Sequence, residues 1–269
     1  MNSQQYTGII MKKLQLTKTV FHFFIQNENP TIYTFQPGQY GTFIIDENTR
    51  RQYTFASAPD PKTFELVVDV SPMGPGSKYF LEKNVGERVE YLAPLGNFTL
   101  SQNLLKKVFV ATGTGIAPFR SMLLKEVRSS SFLVPSNLKI QENKIITIHE
   151  PRSTNQEPGT TTHSLYWGLR YEDDVYWDNE FKALAGQYTG FQYFLSLSKP
   201  GKNWQDLFPP SPRLRRAKGH ITEHVIKNEN NPQNSEFYLC GNSAMISEME
   251  TRLSAIKVPK EQVKIDMFY

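Results

Sequence analysis

Gly113-Thr-Gly-Ile116 stands between an apolar run and a helical pattern, and that placement suggests chemistry. Val108, Phe109, Val110 and Ala111 are strand formers in an unbroken run, the pattern of a strand buried on both faces. Phe119, Met122, Leu123 and Val127 repeat at helical spacing behind Pro118, a residue suited to a first helical turn. A strand feeding a helix through a glycine turn leaves several N–H groups aimed at one spot. Bare glycine backbone lets a ligand come close and the helix dipole favours negative charge, so pyrophosphate can bind there. A Gly-x-Gly after a strand is also an ordinary tight turn.

Gly74-Pro-Gly-Ser77 has the same character. Gly74, Gly76 and Ser77 present amides at the start of a helix expected over Gly76–Lys83 and capped near Ser77, while Pro75 removes one donor. Without a ligand the same residues form an N-capped turn. Arg51 and Tyr53 alternate along a strand and face one side, with Thr54 on the other. Lys199 to Lys218 carries six Lys/Arg against one acid, Asp206, and includes Arg213, Arg215 and Arg216. It suits a phosphate or an acidic partner, and equally a solvated loop. Glu172, Asp173 and Asp174 are expected at a helix N-terminus, where carboxylates are favoured. Cys240 is a lone cysteine on an apolar strand, ordinarily inert core. No histidine lies near it in sequence, and nucleophilic catalysis is not expected of it.

The elements that must position these residues fall into two parts. A chain of 269 residues suits two domains, and its hydrophobic share of 39% is ordinary for a globular protein. A net charge of +4 suits an acidic partner or a phosphorylated ligand and is too small to argue for nucleic acid. No apolar run reaches membrane-spanning length and residues 1–6 are polar, so the expectation is a cytoplasmic protein without a membrane span. One cysteine excludes an internal disulfide, a cysteine-held iron–sulfur cluster and a cysteine-based zinc site, and no metal is expected.

Up to about residue 100 the chain reads as short strands: a loose alternation over Tyr6–Ile25, a polar turn at Gln26–Pro30, then Thr42–Ile45, Arg51–Pro59, Thr63–Val70 and Val89–Ala93. Turns every ten residues or so mark an antiparallel barrel or sandwich. From Lys106 strands alternate with helices, the mark of a parallel sheet whose ligands sit at the carboxyl ends of its strands. The expected organisation is a β-barrel domain over 1–102 and an α/β nucleotide-binding domain over 103–269. A polar insertion at about 129–163 is expected as a surface excursion or small hairpin, with His149 and His163 as ordinary polar residues.

Arg51-Gln-Tyr-Thr54, Gly74-Pro-Gly-Ser77, Gly113-Thr-Gly-Ile-Ala-Pro118, Gly168-Leu-Arg170 and Cys240-Gly-Asn-Ser-Ala-Met245 follow the order and spacing of the ferredoxin–NADP reductase superfamily. The chain resembles that family over nearly its whole length. The resemblance implies an FAD-binding antiparallel β-barrel and an NAD(P)-binding α/β domain, with flavin and nicotinamide meeting in the cleft between them. It implies Arg51 on the flavin pyrophosphate, Tyr53 against the flavin or its ribityl chain, and the Thr54 hydroxyl near flavin N5. Gly74, Gly76 and Ser77 would hold the pyrophosphate from the other side.

On the NAD(P) side the resemblance implies Gly113, Thr114 and Gly115 at the pyrophosphate, and Pro118 shaping the nicotinamide end. Arg170, Ser198 and Lys199 would lie at the adenosine half. Cys240, with Gly241 and Met245, would stand beside nicotinamide C4, and Tyr269 (or Phe268) would cover the flavin face. Lys199 stands where many relatives carry Arg; it keeps the charge and loses the bidentate fork, so NADPH against NADH stays open.

The implied activity is hydride transfer between NAD(P)H and FAD, with electrons passed to a separate acidic carrier such as ferredoxin or flavodoxin. Thr54, Cys240 and Tyr269 would bracket the reacting atoms, and the protein supplies positioning rather than a general base. The alternatives are an NADH-type diaphorase, the reductase component of an oxygenase system, or an electron-transfer or nucleotide-sensing subunit active only in a complex.

Overall fold

The computed structural model describes residues 4–29, 34–128, 140–141, 144–145, 163–188, 190–202, 204 and 213–267. Period-two alternation builds the first sheet from β1 (Gln4–Gln15), β2 (Val20–Asn29), β3 (Tyr40–Ile44), β4 (Arg50–Thr54), β5 (Thr63–Asp69) and β6 (Arg88–Leu95). All its pairings are antiparallel, in the order β4-β3-β6-β1-β2-β5, and a bridge between Phe55 and Leu66 brings its two edges together as a barrel. Phe23, Phe43, Phe55, Phe64, Phe80 and Tyr91 fill the interior. The alternation over Tyr6–Ile25 is two strands, turned at Thr17, whose hydroxyl accepts the N–H groups of Thr19 and Val20. Residues 26–29, expected in a turn, continue β2. Gln26 pairs with Ile9 on one side and Thr63 on the other, and two ladders override a polar composition.

Among the described residues the one α-helix of this part is α1 (Pro75–Glu82). The second sheet starts with β7 (Lys106–Thr112), which leads through a 3₁₀ turn, Gly113–Ile116, into α2 (Ala117–Arg128). Within residues 129–163, expected as an insertion, β8 (Ile140–Gln141) and β9 (Lys144–Ile145) pair antiparallel. The rest of that excursion, His149 included, lies outside the described residues. Next come β10 (His163–Leu169), α3 (Asp178–Gln187), β11 (Phe191–Leu197), β12 (Leu214–Lys218), α4 (Ile221–Asn228), β13 (Ser235–Gly241), α5 (Ser243–Ala255) and β14 (Val263–Met267). The sheet is parallel throughout, in the order β12-β11-β10-β7-β13-β14.

Phe109, Ala111 and Trp167 pack with α2 and α3 on one face; Val108, Val110 and Tyr166 pack with α4 and α5 on the other. Strand order reverses between β7 and β13, which opens a crevice at their carboxyl ends. His163 corrects an expectation. It is the first residue of β10, buried and stacked on Phe109, and burial together with nearby Lys107 holds its imidazole down to about 4.

The two sheets are joined through α2. The Arg120 guanidinium donates to the Ala56 carbonyl (2.8 Å) and the Glu65 carboxylate (2.7 Å) on the barrel side, and to Glu180 of α3 (2.9 Å). It lies 4.4 Å from the Trp177 ring centroid, and His22 reaches the same Glu65 oxygen at 2.9 Å. Ser121 donates to the Ser57 carbonyl (2.5 Å). Burial alone would raise the Glu65 pKa, but Arg120 and His22 hold it down to about 2.

Candidate active site

In the barrel, Gly74 holds the N-cap position of α1 with extended backbone and Pro75 opens the helix. No side chain caps it. Ser77, expected as the cap, lies inside the first turn and donates its hydroxyl to the Asp69 carbonyl (3.4 Å). A Cβ on Gly76 would stand 2.3 Å from the Tyr53 hydroxyl and 2.9 Å from Arg51 Cγ, so bare backbone lets the turn close onto β4. At Gly74 nothing lies within 4 Å of a Cβ, and that side is open.

Arg51 is exposed and Tyr53 half-buried; the Tyr53 ring meets Phe80 edge-on at 4.7 Å, and burial pushes its phenol up to about 12. Thr54 is buried, paired with Tyr40 across the ladder. The first amides of a helix lack a helical partner. Those of Gly76 and Ser77, with the open side at Gly74 and the exposed cation of Arg51, therefore fit a dinucleotide pyrophosphate.

In the α/β part the fit is tighter. A Cβ on Gly115 would meet the Cys240 carbonyl oxygen at 2.3 Å and Gly241 Cα at 2.9 Å. Gly241 has φ +147, and a Cβ there would lie 2.1 Å from Thr112 Oγ1. That oxygen accepts from the Asn242 backbone N–H (3.0 Å) and side chain (3.1 Å), and Asn242 Oδ1 caps α5 by accepting from Met245 N–H (2.8 Å). The ends of β7 and β13 are thereby fixed against each other. Burial pushes the Cys240 thiol well above its ordinary range, so it offers shape rather than a thiolate. The side chains of Pro118 and Met245 are buried, Met245 in the core beneath α5.

The two turns both meet β5: Ser77 bonds Asp69 at its carboxyl end, and the Gly113–Ile116 turn packs against the same strand. A cavity of about 570 Å³ runs between the parts, lined by Tyr40, residues 96–101 and 263–266. It lies one strand over from Thr54 at Tyr40, and one strand over from Cys240 at Asp266.

At the far end, Ser198 donates its N–H to the Leu169 carbonyl (3.0 Å) and Lys199 donates to that of Arg170 (2.9 Å), which sets exposed Arg170 and Lys199 side by side. The basic stretch corrects an expectation, because residues 214–218 are edge strand β12 rather than loop. Arg216 pairs with Asp178 and lies over Trp204 at 4.9 Å, and Arg215 donates to Asn228 (2.6 Å). Glu172–Asp174 form a 3₁₀ turn, and the acids in the first turn of α3 are Asp178 and Glu180. Glu172 accepts from Gly201 N–H (3.1 Å). Phe268 and Tyr269 lie outside the described residues.

Sequence reasoning missed Arg120, Trp167 and Tyr176. A cation among the apolar positions of α2 was the available signal for Arg120; nothing local marks the aromatic pair, whose N–H and O–H both reach the Gly113 carbonyl.

Two family models divide the chain. Residues 9–100 match the oxidoreductase FAD-binding domain and residues 109–251 the oxidoreductase NAD-binding domain. The chain belongs to the ferredoxin–NADP reductase superfamily. It is 29% identical over 222 residues to the anthranilate 1,2-dioxygenase electron transfer component of Acinetobacter baylyi, covering 81% of this chain and 54% of that protein. The chain therefore spans about half the length of that relative. It is 25% identical to ferredoxin–NADP reductase B of Sorangium cellulosum, covering 88% of this chain and 86% of that one. The fold matches the crystal structure of a ferredoxin NADP+ reductase from Neisseria gonorrhoeae with bound FAD and NADP at a TM-score of 0.71, 18% identity and full coverage of both chains. This superfamily member thus carries an FAD-binding barrel and an NAD-binding α/β domain. Among the described residues no helix is long and apolar enough to cross a membrane.

Proposed function

We propose that the chain is an FAD-dependent NAD(P)H reductase that hands electrons to a separate acidic carrier protein of the ferredoxin or flavodoxin kind. The observation that carries this is that two glycine turns, one from each domain, both meet β5. The chemistry a bound flavin supplies is acceptance of hydride from nicotinamide and release of electrons singly. Arg51 and the amides of Gly76 and Ser77 bind the flavin pyrophosphate from two sides, and Tyr53 walls that site. Thr54 offers a hydroxyl at the end of β4. Gly113, Thr114 and Gly115 bind the nucleotide pyrophosphate, while Pro118, Cys240, Gly241 and Met245 shape the nicotinamide end. Arg170, Ser198 and Lys199 take the adenosine half, and Tyr269 is the candidate cover for the flavin face.

A net charge of +4 suits an acidic carrier, and a cytoplasmic location, where NAD(P)H is supplied, goes with this role. The similarity to a dioxygenase electron transfer component favours a second reading, the reductase component of an oxygenase system. The test is the visible spectrum of the purified protein, followed by anaerobic NADPH and, separately, NADH. A flavin spectrum that bleaches is the expected result, and the faster nucleotide identifies the donor. A protein that stays colourless after incubation with FAD overturns the proposal.

A further inference from the structure

Gly113 stands at φ +54, and its carbonyl oxygen accepts two side-chain hydrogen bonds, from Trp167 Nε1 at 3.0 Å and Tyr176 Oη at 3.3 Å. Both donors are interior. Trp167 is 0% and Tyr176 6% exposed, and their rings meet edge-on at 4.9 Å. On the other side Gly113 is exposed, and beyond its chain neighbours nothing lies within 4 Å of where its Cβ would stand. In a planar trans peptide the carbonyl of one residue and the N–H of the next point in opposite directions. Holding the Gly113 carbonyl inward therefore turns the Thr114 N–H outward, toward the open side. With no Cβ, Gly113 restricts its own dihedrals little, so the two side-chain bonds add to the 3₁₀ turn in fixing this peptide. Rotated the other way, it would present a carbonyl oxygen where an anion must sit.

We propose that Trp167 and Tyr176 are positioning residues for nucleotide binding, which together lock the Gly113–Thr114 peptide with its N–H facing the pyrophosphate. The inference rests on the reading of the Gly113 turn as the pyrophosphate site. The donors come from different segments, β10 and the stretch before α3, so the lock ties the turn to two independent parts of the domain. Either donor alone still holds the carbonyl. Single losses are therefore mild, and joint loss exceeds the product of the two.

The test uses the FAD-loaded protein and the variants Trp167→Phe, Tyr176→Phe and the double, each of which keeps an aromatic ring. NADP+ and, separately, NAD+ are titrated calorimetrically; KM and kcat, the flavin spectrum and the thermal midpoint are recorded alongside. For the nucleotide that wild type prefers, Kd is expected to rise under twofold for Tyr176→Phe, about threefold for Trp167→Phe and about tenfold or more for the double. The loss is expected in KM, with kcat within about twofold. A purely structural role would lower the midpoint and leave the Kd of the folded protein where it was.

A double variant that binds FAD normally and keeps both nucleotide affinities within about twofold of wild type overturns the lock. If the double variant loses FAD, Trp167→Phe carries the test, and an unchanged Kd there overturns it equally. A wild type that binds neither NADP+ nor NAD+ fails at the turn itself, and so is distinguishable from failure of the lock alone.

Discussion

Both glycine turns meet the rest of the protein at close range, but what they meet differs. At Gly76 the near atoms are ends and stems of side chains, the Tyr53 hydroxyl and Arg51 Cγ. At Gly115 they are backbone, the Cys240 carbonyl and Gly241 Cα. A side chain can swing aside; two strand ends held by the Thr112–Asn242 bonds cannot. The barrel turn is thus built to adjust around its ligand, whereas the α/β turn is built to hold one shape. What joins them is the buried Arg120 network, and the largest predicted effect falls there.

Arg120→Leu leaves Glu65 and Glu180 facing each other without their cation. Removing one partner of a buried ion pair costs about 3–5 kcal/mol. The expected outcome is a large drop in the denaturation midpoint with both domain cores still formed, read by urea unfolding of the FAD-bound protein. Unfolding that stays within 1 kcal/mol of wild type would show that the domains are held together elsewhere. Acid acts on the same network. The Glu65 pKa is depressed to about 2, so its contribution is fully present above the unfolded carboxylate range and is lost as pH falls toward 2. Burial lowers the His22 pKa, so below about 6.5 the unfolded chain binds a proton that the folded one resists, and stability again falls with acid. A midpoint that rises between pH 7 and pH 3 would contradict both signs.

Gly115→Ala comes next. The Cβ cannot be relieved by a rotamer change, and the overpacking is expected to cost about 3 kcal/mol. NADP+ and NAD+ binding should be lost before FAD binding. Retention of nucleotide affinity would mean the β7–β13 crevice yields more than its backbone contacts suggest.

Gly76→Ala tests the adjustable turn. Displacing the Tyr53 hydroxyl is expected to cost about 1–2 kcal/mol and to lower FAD affinity while the fold persists. Tyr53→Phe removes the nearest atom, so the double variant should recover part of that loss, a coupling that a double-mutant cycle measures. No recovery would shift the blame to Arg51 Cγ, 2.9 Å away.

These contrasts track what was legible in the sequence. The β7 run, the Gly113 turn and the Cys240-Gly stretch are local patterns, and each lies where its pattern placed it. β12 was illegible because Leu-Arg-Arg-Ala-Lys carries no alternation; its arginines pair with Asp178 and Asn228, residues distant in sequence. The Arg120 network joins residues 55 and 60 positions apart, and only tertiary folding brings them together. Ser77 misled because its residue type suits a cap, whereas the helix starts at Pro75 with Gly74 in the cap position. Local chemistry placed the turns; what holds them in position had to be seen in the folded chain.

The smallest effect on stability separates a glycine needed for packing from one needed for a ligand. Gly74 has a φ of −71, which alanine adopts freely, and open space where the Cβ would go. Gly74→Ala is therefore expected to change the thermal midpoint, measured in saturating FAD, by no more than about 0.5 kcal/mol equivalent. The reduced freedom of the unfolded chain pushes it slightly upward. If the open side at Gly74 is where the flavin pyrophosphate lies, the same methyl intrudes on the ligand, and FAD affinity should fall several-fold despite intact stability. An affinity unchanged alongside an unchanged midpoint would place the pyrophosphate nearer Arg51 and the Ser77 amide than Gly74, and would leave the barrel turn with Gly76 as its one demanding position.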